Sequence, residues 1–75
     1  MPNKVFAERL NKELDTIGLP TRSDERIEAL SKLIKIPKFK AAAFLEGISL
    51  PDELTLNRLA QEFEVSIDWL LGKND

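Results

Sequence analysis

Apolar residues recur along this chain at the spacing of an α-helix, and glycines and prolines divide the pattern into short segments. Phe6, Leu10 and Leu14 follow one another at intervals of four residues, which places them on one face of a helix. No segment alternates apolar and polar residues as a half-buried β-strand would. The pattern therefore predicts an all-α fold, a compact five-helix bundle that forms a single domain over residues 1–75. Its helices are expected at about residues 4–15, 24–34, 37–46, 53–64 and 67–71.

The predicted helix ends carry residues suited to begin or end a helix. Side chains that can accept a hydrogen bond from a free N–H of the first turn precede or open four helices: Asn3, Ser23, Asp52 and Ser66. Pro37 is expected to open the third helix, because the N–H that proline lacks would have no partner in a first turn. Helix ends are expected at three glycines: Gly18, Gly47 and Gly72.

Composition excludes several classes of chemistry. The chain of 75 residues contains no cysteine and no histidine, which excludes disulfides, Ser-His or Cys-His catalysis and zinc sites built on imidazole. Acidic pairs such as Glu62 and Glu64 do not face each other on a helix. No enzyme activity, cofactor or metal is therefore expected. The sequence also lacks a membrane-spanning apolar run and the apolar core of a signal peptide, so a cytoplasmic protein with no membrane contact is expected.

The charges of the chain are unevenly distributed. The formal net charge is −2, whereas many small DNA-binding domains are basic. However, no acidic residue occurs between Ala29 and Leu45, and that segment contains four lysines: Lys32, Lys35, Lys38 and Lys40. A local concentration of positive charge matters more for binding an anionic partner than the total does. An ordinary solvated lysine face is the alternative interpretation.

The spacing of residues from position 23 to position 72 resembles the Cro and phage-repressor type of helix-turn-helix domain, the XRE family. The resemblance depends on Leu30–Ile36 and Leu45–Gly47, followed by Pro51, Leu59–Ala60, Val65–Ser66 and Trp69–Gly72. It implies a lambda-repressor-like domain in which helices 24–34 and 37–46 form the helix-turn-helix. Ile36 would then be buried in the turn, and helix 37–46 would lie in the major groove of DNA.

The same resemblance implies a function and a set of contact residues. Proteins of this family bind operator DNA, usually as homodimers on a two-fold related site, and usually repress transcription. Lys38 would contact a guanine or a phosphate, and Phe39 could contact a thymine methyl group. The DNA-binding residues carried over to this chain are Lys38, Phe39, Lys40, Ala42, Ala43, Lys35, Ser49 and Arg26.

The chain departs from the family pattern at several of these positions. Ile27 stands where the family often has a glutamine that reaches DNA, and Lys35 stands where the turn often has glycine. Ala41–Ala43 offer only methyl groups where polar side chains would read base edges, which implies shallow direct readout. The alternative function is a protein-interaction module (an antitoxin, antirepressor or adaptor) that keeps the fold with weak or no DNA binding.

Overall fold

Five α-helices, joined by short connections, make up most of the described chain. A computed structural model describes residues 3–73. The predicted domain extended over residues 1–75, so its first two and last two residues lie outside the described range. The helices are α1 (Lys4–Thr16), α2 (Ser23–Ile34), α3 (Lys38–Leu45), α4 (Glu53–Phe63) and α5 (Ile67–Leu70). The predicted all-helical fold is confirmed, and each predicted boundary lies within one residue of the observed one. Within the described range, no helix is long and apolar enough to cross a membrane.

The core takes apolar side chains from all five helices. Phe6, Leu10 and Leu14 of α1 are buried, as their four-residue spacing predicted. Phe6 packs edge-on against Phe44 of α3, with ring centroids 6.5 Å apart and ring planes at 84°. The other helices contribute Leu30, Ile34, Ala41, Leu56, Leu59, Phe63 and Leu70. Because each helix buries one face here, packing rather than intrinsic helix propensity stabilises these short helices.

All five helices end in the same way. One residue adopts the left-handed conformation, and the N–H of the next residue donates to the carbonyl five positions back. The left-handed residues are Gly18, Lys35, Gly47, Glu64 and Gly72. The N–H donors are Leu19, Ile36, Ile48, Val65 and Lys73, with N–O distances between 2.8 and 3.0 Å. The three glycines were predicted at helix ends, and two side-chain-bearing residues adopt the same strained conformation.

The helix starts agree only in part with the predicted caps. Asp52 Oδ1 accepts from the Thr55 N–H at 2.8 Å, and Ser66 Oγ accepts from the Trp69 N–H at 3.0 Å, so both predicted caps are confirmed. The hydrogen bonds from Thr55 hold the pKa of Asp52 below its ordinary value.

Three expectations about helix starts were wrong. The Asn3 side chain makes no capping hydrogen bond, and with φ −119° and ψ 42° Asn3 lacks the extended backbone that Asp52 and Ser66 have as caps. Ser23 lies inside α2, and Arg22 occupies the cap position. Pro37 occupies the cap position of α3 instead of its first turn, and its carbonyl accepts from the N–H of Ala41.

Replacement of Lys35 by glycine is expected to stabilise the fold. Glycine adopts a φ of 57° without the clash that a Cβ introduces, so Lys35→Gly should raise the free energy of unfolding by about 0.5–1 kcal/mol. Glu64→Gly should give a similar gain, because Glu64 has the same φ. Lys32→Gly is the control and should cost about 1 kcal/mol, since Lys32 lies inside α2. Urea unfolding measures all three, and a loss of stability in Lys35→Gly would contradict the expected strain.

Candidate nucleic-acid interface

Packing against α2 and α1 fixes the position of α3. Of the helix pairs, α2 and α3 pack together most extensively. Ala41 of α3 is fully buried in the core. Ser31 of α2 is almost buried, and its hydroxyl donates to the Glu28 carbonyl at 2.9 Å. Ile36, which was expected to be buried in the turn, is half-buried and packs against the core.

The side of α3 that faces away from the core is exposed and largely apolar. Ala41 and Phe44 point inward, and the helical period of 3.6 residues then directs Phe39, Ala42 and Ala43 outward. Phe39 is 72% exposed, whereas Ala42 and Ala43 are partly exposed. Phe39, one of the residues expected to contact DNA, thus lies on the surface and not in the core.

Four of the predicted site residues lie together beside one groove: Phe39, Lys40, Ala43 and Ser49. They line a shallow groove of about 370 Å³ between α3 and the start of α4. Leu50 and Thr55 also line this groove, and sequence reasoning did not include them. Asp52 lines the groove as well, and it lies close enough to Lys40 for the two charges to attract each other. The groove therefore combines apolar walls with one pair of opposite charges.

Lys38 lies on the other side of α3, next to an acidic residue of α2. Its Nζ is 3.9 Å from Glu28 Oε2, and the same oxygen is 3.5 Å from Lys32 Nζ. Glu28 and Lys32 are spaced i, i+4, so the sequence could have indicated that pair. The contact with Lys38 arises only from the packing of α2 on α3. The segment from Ala29 to Leu45 contains no acidic residue, but the folded chain places the carboxylate of Glu28 beside two of its lysines.

Lys35 belongs to a different part of the surface. It lines a separate groove of about 300 Å³ together with Leu33, Arg58 and Glu62. Arg58 Nη1 donates to the Ile34 carbonyl at 3.3 Å, which brings a second cation close to the turn before α3. Sequence reasoning missed Arg58, because only the packing of α4 on α2 brings it there. The lysines of the basic segment are thus spread around α3.

Arg26 was expected to contact DNA, and its burial contradicts that prediction. Only 6% of the residue is exposed, and the guanidinium faces the end of α1 and the segment that follows it. Nε donates to the Pro20 carbonyl at 2.7 Å, and Nη1 donates to the main-chain and side-chain oxygens of Asn11 at 3.1 and 3.2 Å. Nη2 pairs with Asp15 and approaches the Leu19 carbonyl. Because these acceptors occupy its donors, Arg26 cannot reach a phosphate.

Other kinds of site have little support in the described residues. No group of three or more histidine, cysteine, aspartate or glutamate residues within positions 3–73 could hold a metal ion. Comparison of the chain with models of protein families, with curated proteins and with solved structures finds no match.

Substitution of Arg26 should lower stability. Arg26→Gln would deprive the Pro20 carbonyl and the Asn11 side-chain oxygen of the guanidinium donor, at an expected cost of about 2–3 kcal/mol in the free energy of unfolding. Arg22→Gln is a matched control, because Arg22 pairs with Asp24 on the exposed surface, and it should change stability by less than about 0.5 kcal/mol. Chemical denaturation compares the two variants, and equal effects would show that the buried hydrogen bonds of Arg26 contribute little.

Proposed function

We propose that this protein is a sequence-specific DNA-binding transcriptional regulator of the Cro and phage-repressor type, which inserts α3 into the major groove. The observation that carries the proposal is the exposed outer side of α3, with Phe39 at its centre and Lys38 and Lys40 on either side. A helix about 10–12 Å in diameter fits the major groove, which is about 12 Å wide.

The relation between α2 and α3 supports a helix-turn-helix. Residues 35–37 connect the two helices, and the left-handed Lys35 turns the chain sharply between them. In such a motif the first helix crosses the DNA backbone, and residues near the start of the second contact base edges. Phe39 lies in the first turn of α3 and would lie closest to the bases.

Positively charged side chains around α3 would hold the DNA backbone. Lys40 lies on one edge of α3, Lys38 lies on the other, and Lys35 precedes the helix. The hydroxyl of Ser49, which lines the same groove as Lys40, could donate to a phosphate as well. Each phosphate contact releases condensed counterions, so affinity should fall as salt rises. We also propose that two copies bind a two-fold related operator, with half-sites about 34 Å apart on the same side of the DNA.

Removal of Lys40 should reduce the salt dependence of DNA binding. The probe is the fragment that this protein selects from mixed genomic DNA, titrated at several salt concentrations. Log K for DNA binding falls linearly with log salt, and Lys40→Ala should make this slope shallower by about 0.9 for each protein copy that binds. Lys38→Ala should have the same effect if Lys38 binds a phosphate.

Lys73→Ala is the matched control for these variants. Lys73 is also an exposed lysine, but it follows α5, which packs on α1 and α4. Its removal should leave the slope unchanged. Equal slopes for all variants would contradict the proposed DNA surface, and a chain that selects no fragment at low salt would contradict DNA binding itself.

A second candidate function is a protein-interaction module. The observation that favours it is the number of large apolar side chains exposed near the groove: Phe39, Ile48, Leu50 and Leu54. Ile48 and Leu54 are 64% and 62% exposed, and several large apolar side chains that form one exposed patch mark a surface that another protein covers, whereas single ones do not.

The second function makes its own prediction. If a protein covers these side chains, Leu54→Ser should weaken the complex with a co-purifying partner by at least about tenfold, because it removes apolar area from the interface. Leu54 lies outside α3, so the same variant should leave DNA affinity unchanged. Titration calorimetry with the purified partner measures the first effect. If Leu54→Ser reduces DNA affinity and no partner is found, this second function is contradicted.

A further inference from the structure

We infer that this protein recognises its operator mainly through the methyl groups of neighbouring thymines, which Phe39, Ala42 and Ala43 contact in the major groove. The inference rests on the proposed function and specifies the class of DNA sequence that is bound. It concerns the outward side of α3, where these three residues lie together.

The outward side of α3 offers little hydrogen bonding to a base. Phe39, Ala42 and Ala43 have no polar side-chain atom. The exposed polar residue on the same side is Glu46, which follows the last residue of α3. It lies about 10 Å along the helix axis from Phe39, at a rise of about 1.5 Å per residue. If the start of α3 lies deepest in the major groove of DNA, Glu46 is therefore farther from the bases than any other residue on the outward side of α3.

Lys38 and Lys40 are displaced to either side of this apolar strip. Lys38 lies toward Glu28 of α2, and Lys40 lies toward Asp52 at the start of α4. Both ammonium groups are thus on the sides where the DNA backbones would run. This arrangement assigns the lysines mainly to phosphates and leaves the apolar strip for the bases.

Thymine is the base that suits such a strip. Its C5-methyl group is the one apolar group that the four bases present in the major groove. A phenyl ring or an alanine methyl placed on it removes apolar surface from water without burying an unpaired polar group. Against a G·C pair, the same side chains would cover the guanine O6 or the cytosine amino group and provide no partner, which is unfavourable. Phe39, with the most exposed area, should make the largest contribution.

The test removes thymine methyl groups one at a time. The operator is first obtained by selection from random double-stranded DNA, and each thymine is then replaced by deoxyuridine. This replacement deletes the methyl group and keeps every hydrogen-bonding atom of the base edge. Affinity should fall by about three- to fivefold for each methyl that the protein contacts, because a buried methyl contributes about 0.8 kcal/mol. Deoxyuridine outside the half-sites should have no effect.

A set of variants links the loss to Phe39. Phe39→Ala should bind the thymine operator more weakly and should no longer distinguish thymine from deoxyuridine at the position it contacts. Phe39→Leu keeps an apolar side chain and should retain most of the discrimination. Ile17→Ala removes an exposed apolar side chain at the end of α1, outside both candidate binding surfaces, and should leave the discrimination unchanged. Circular dichroism verifies that each variant remains folded.

The outcomes separate this inference from the proposed function. A selected operator whose affinity is unchanged by deoxyuridine would overturn the recognition of methyl groups and leave DNA binding intact. Selection of G·C base pairs opposite the start of α3 would overturn it as well. Failure to select any DNA at low salt would overturn the proposed function, and this inference with it.

Discussion

The path of the chain from α2 to α3 depends on the left-handed backbone of Lys35. With that residue in place, the Ile36 N–H reaches the Ser31 carbonyl at 3.0 Å, and Ile36 packs against the core. The chain then enters α3 in a direction that buries Ala41 and Phe44 and leaves Phe39 in solvent. A residue in the right-handed helical conformation at position 35 would continue α2. The chain would then enter α3 in another direction, and a different side of α3 would face the core. The exposed side of α3 is thus a consequence of one main-chain conformation.

Lys35 also illustrates a conflict between stability and a role at the surface. Glycine ends α1, α3 and α5 without strain, but a lysine side chain ends α2. Non-glycine residues held at positive φ cost about 1 kcal/mol or more, and such costs are often found at functional sites. The strain at Lys35 is understandable if its charge contributes to binding. Glu64 adopts the same conformation at the end of α4, and the structure offers no comparable explanation for its side chain.

The elements of the fold could be predicted from the sequence, whereas much of the candidate site could not. Helix ends were close to correct because glycine, Asp52 and Ser66 act on neighbouring backbone groups, which the local sequence shows. The position of Arg26 depends instead on carbonyls of Asn11, Leu19 and Pro20, which converge only in the folded chain. For the same reason the sequence did not reveal the approach of Glu28 to Lys38 or that of Arg58 to Ile34. The helices could thus be predicted from the local sequence, whereas the contacts between helices that shape the candidate site could not.

The carboxylate that Glu28 shares between two lysines bears on how quickly a DNA-binding protein could find its target. It lowers the attraction of Lys32 and Lys38 for every phosphate alike, so it would shorten the time spent on unrelated DNA. Contacts with base edges form only at a matching sequence, and this carboxylate leaves them unchanged. A protein with a net charge of −2 and such internal neutralisation would therefore dissociate rapidly from most of a genome and remain longer at a few positions. An acidic residue outside the apolar strip of α3 would then shorten each encounter with unrelated DNA.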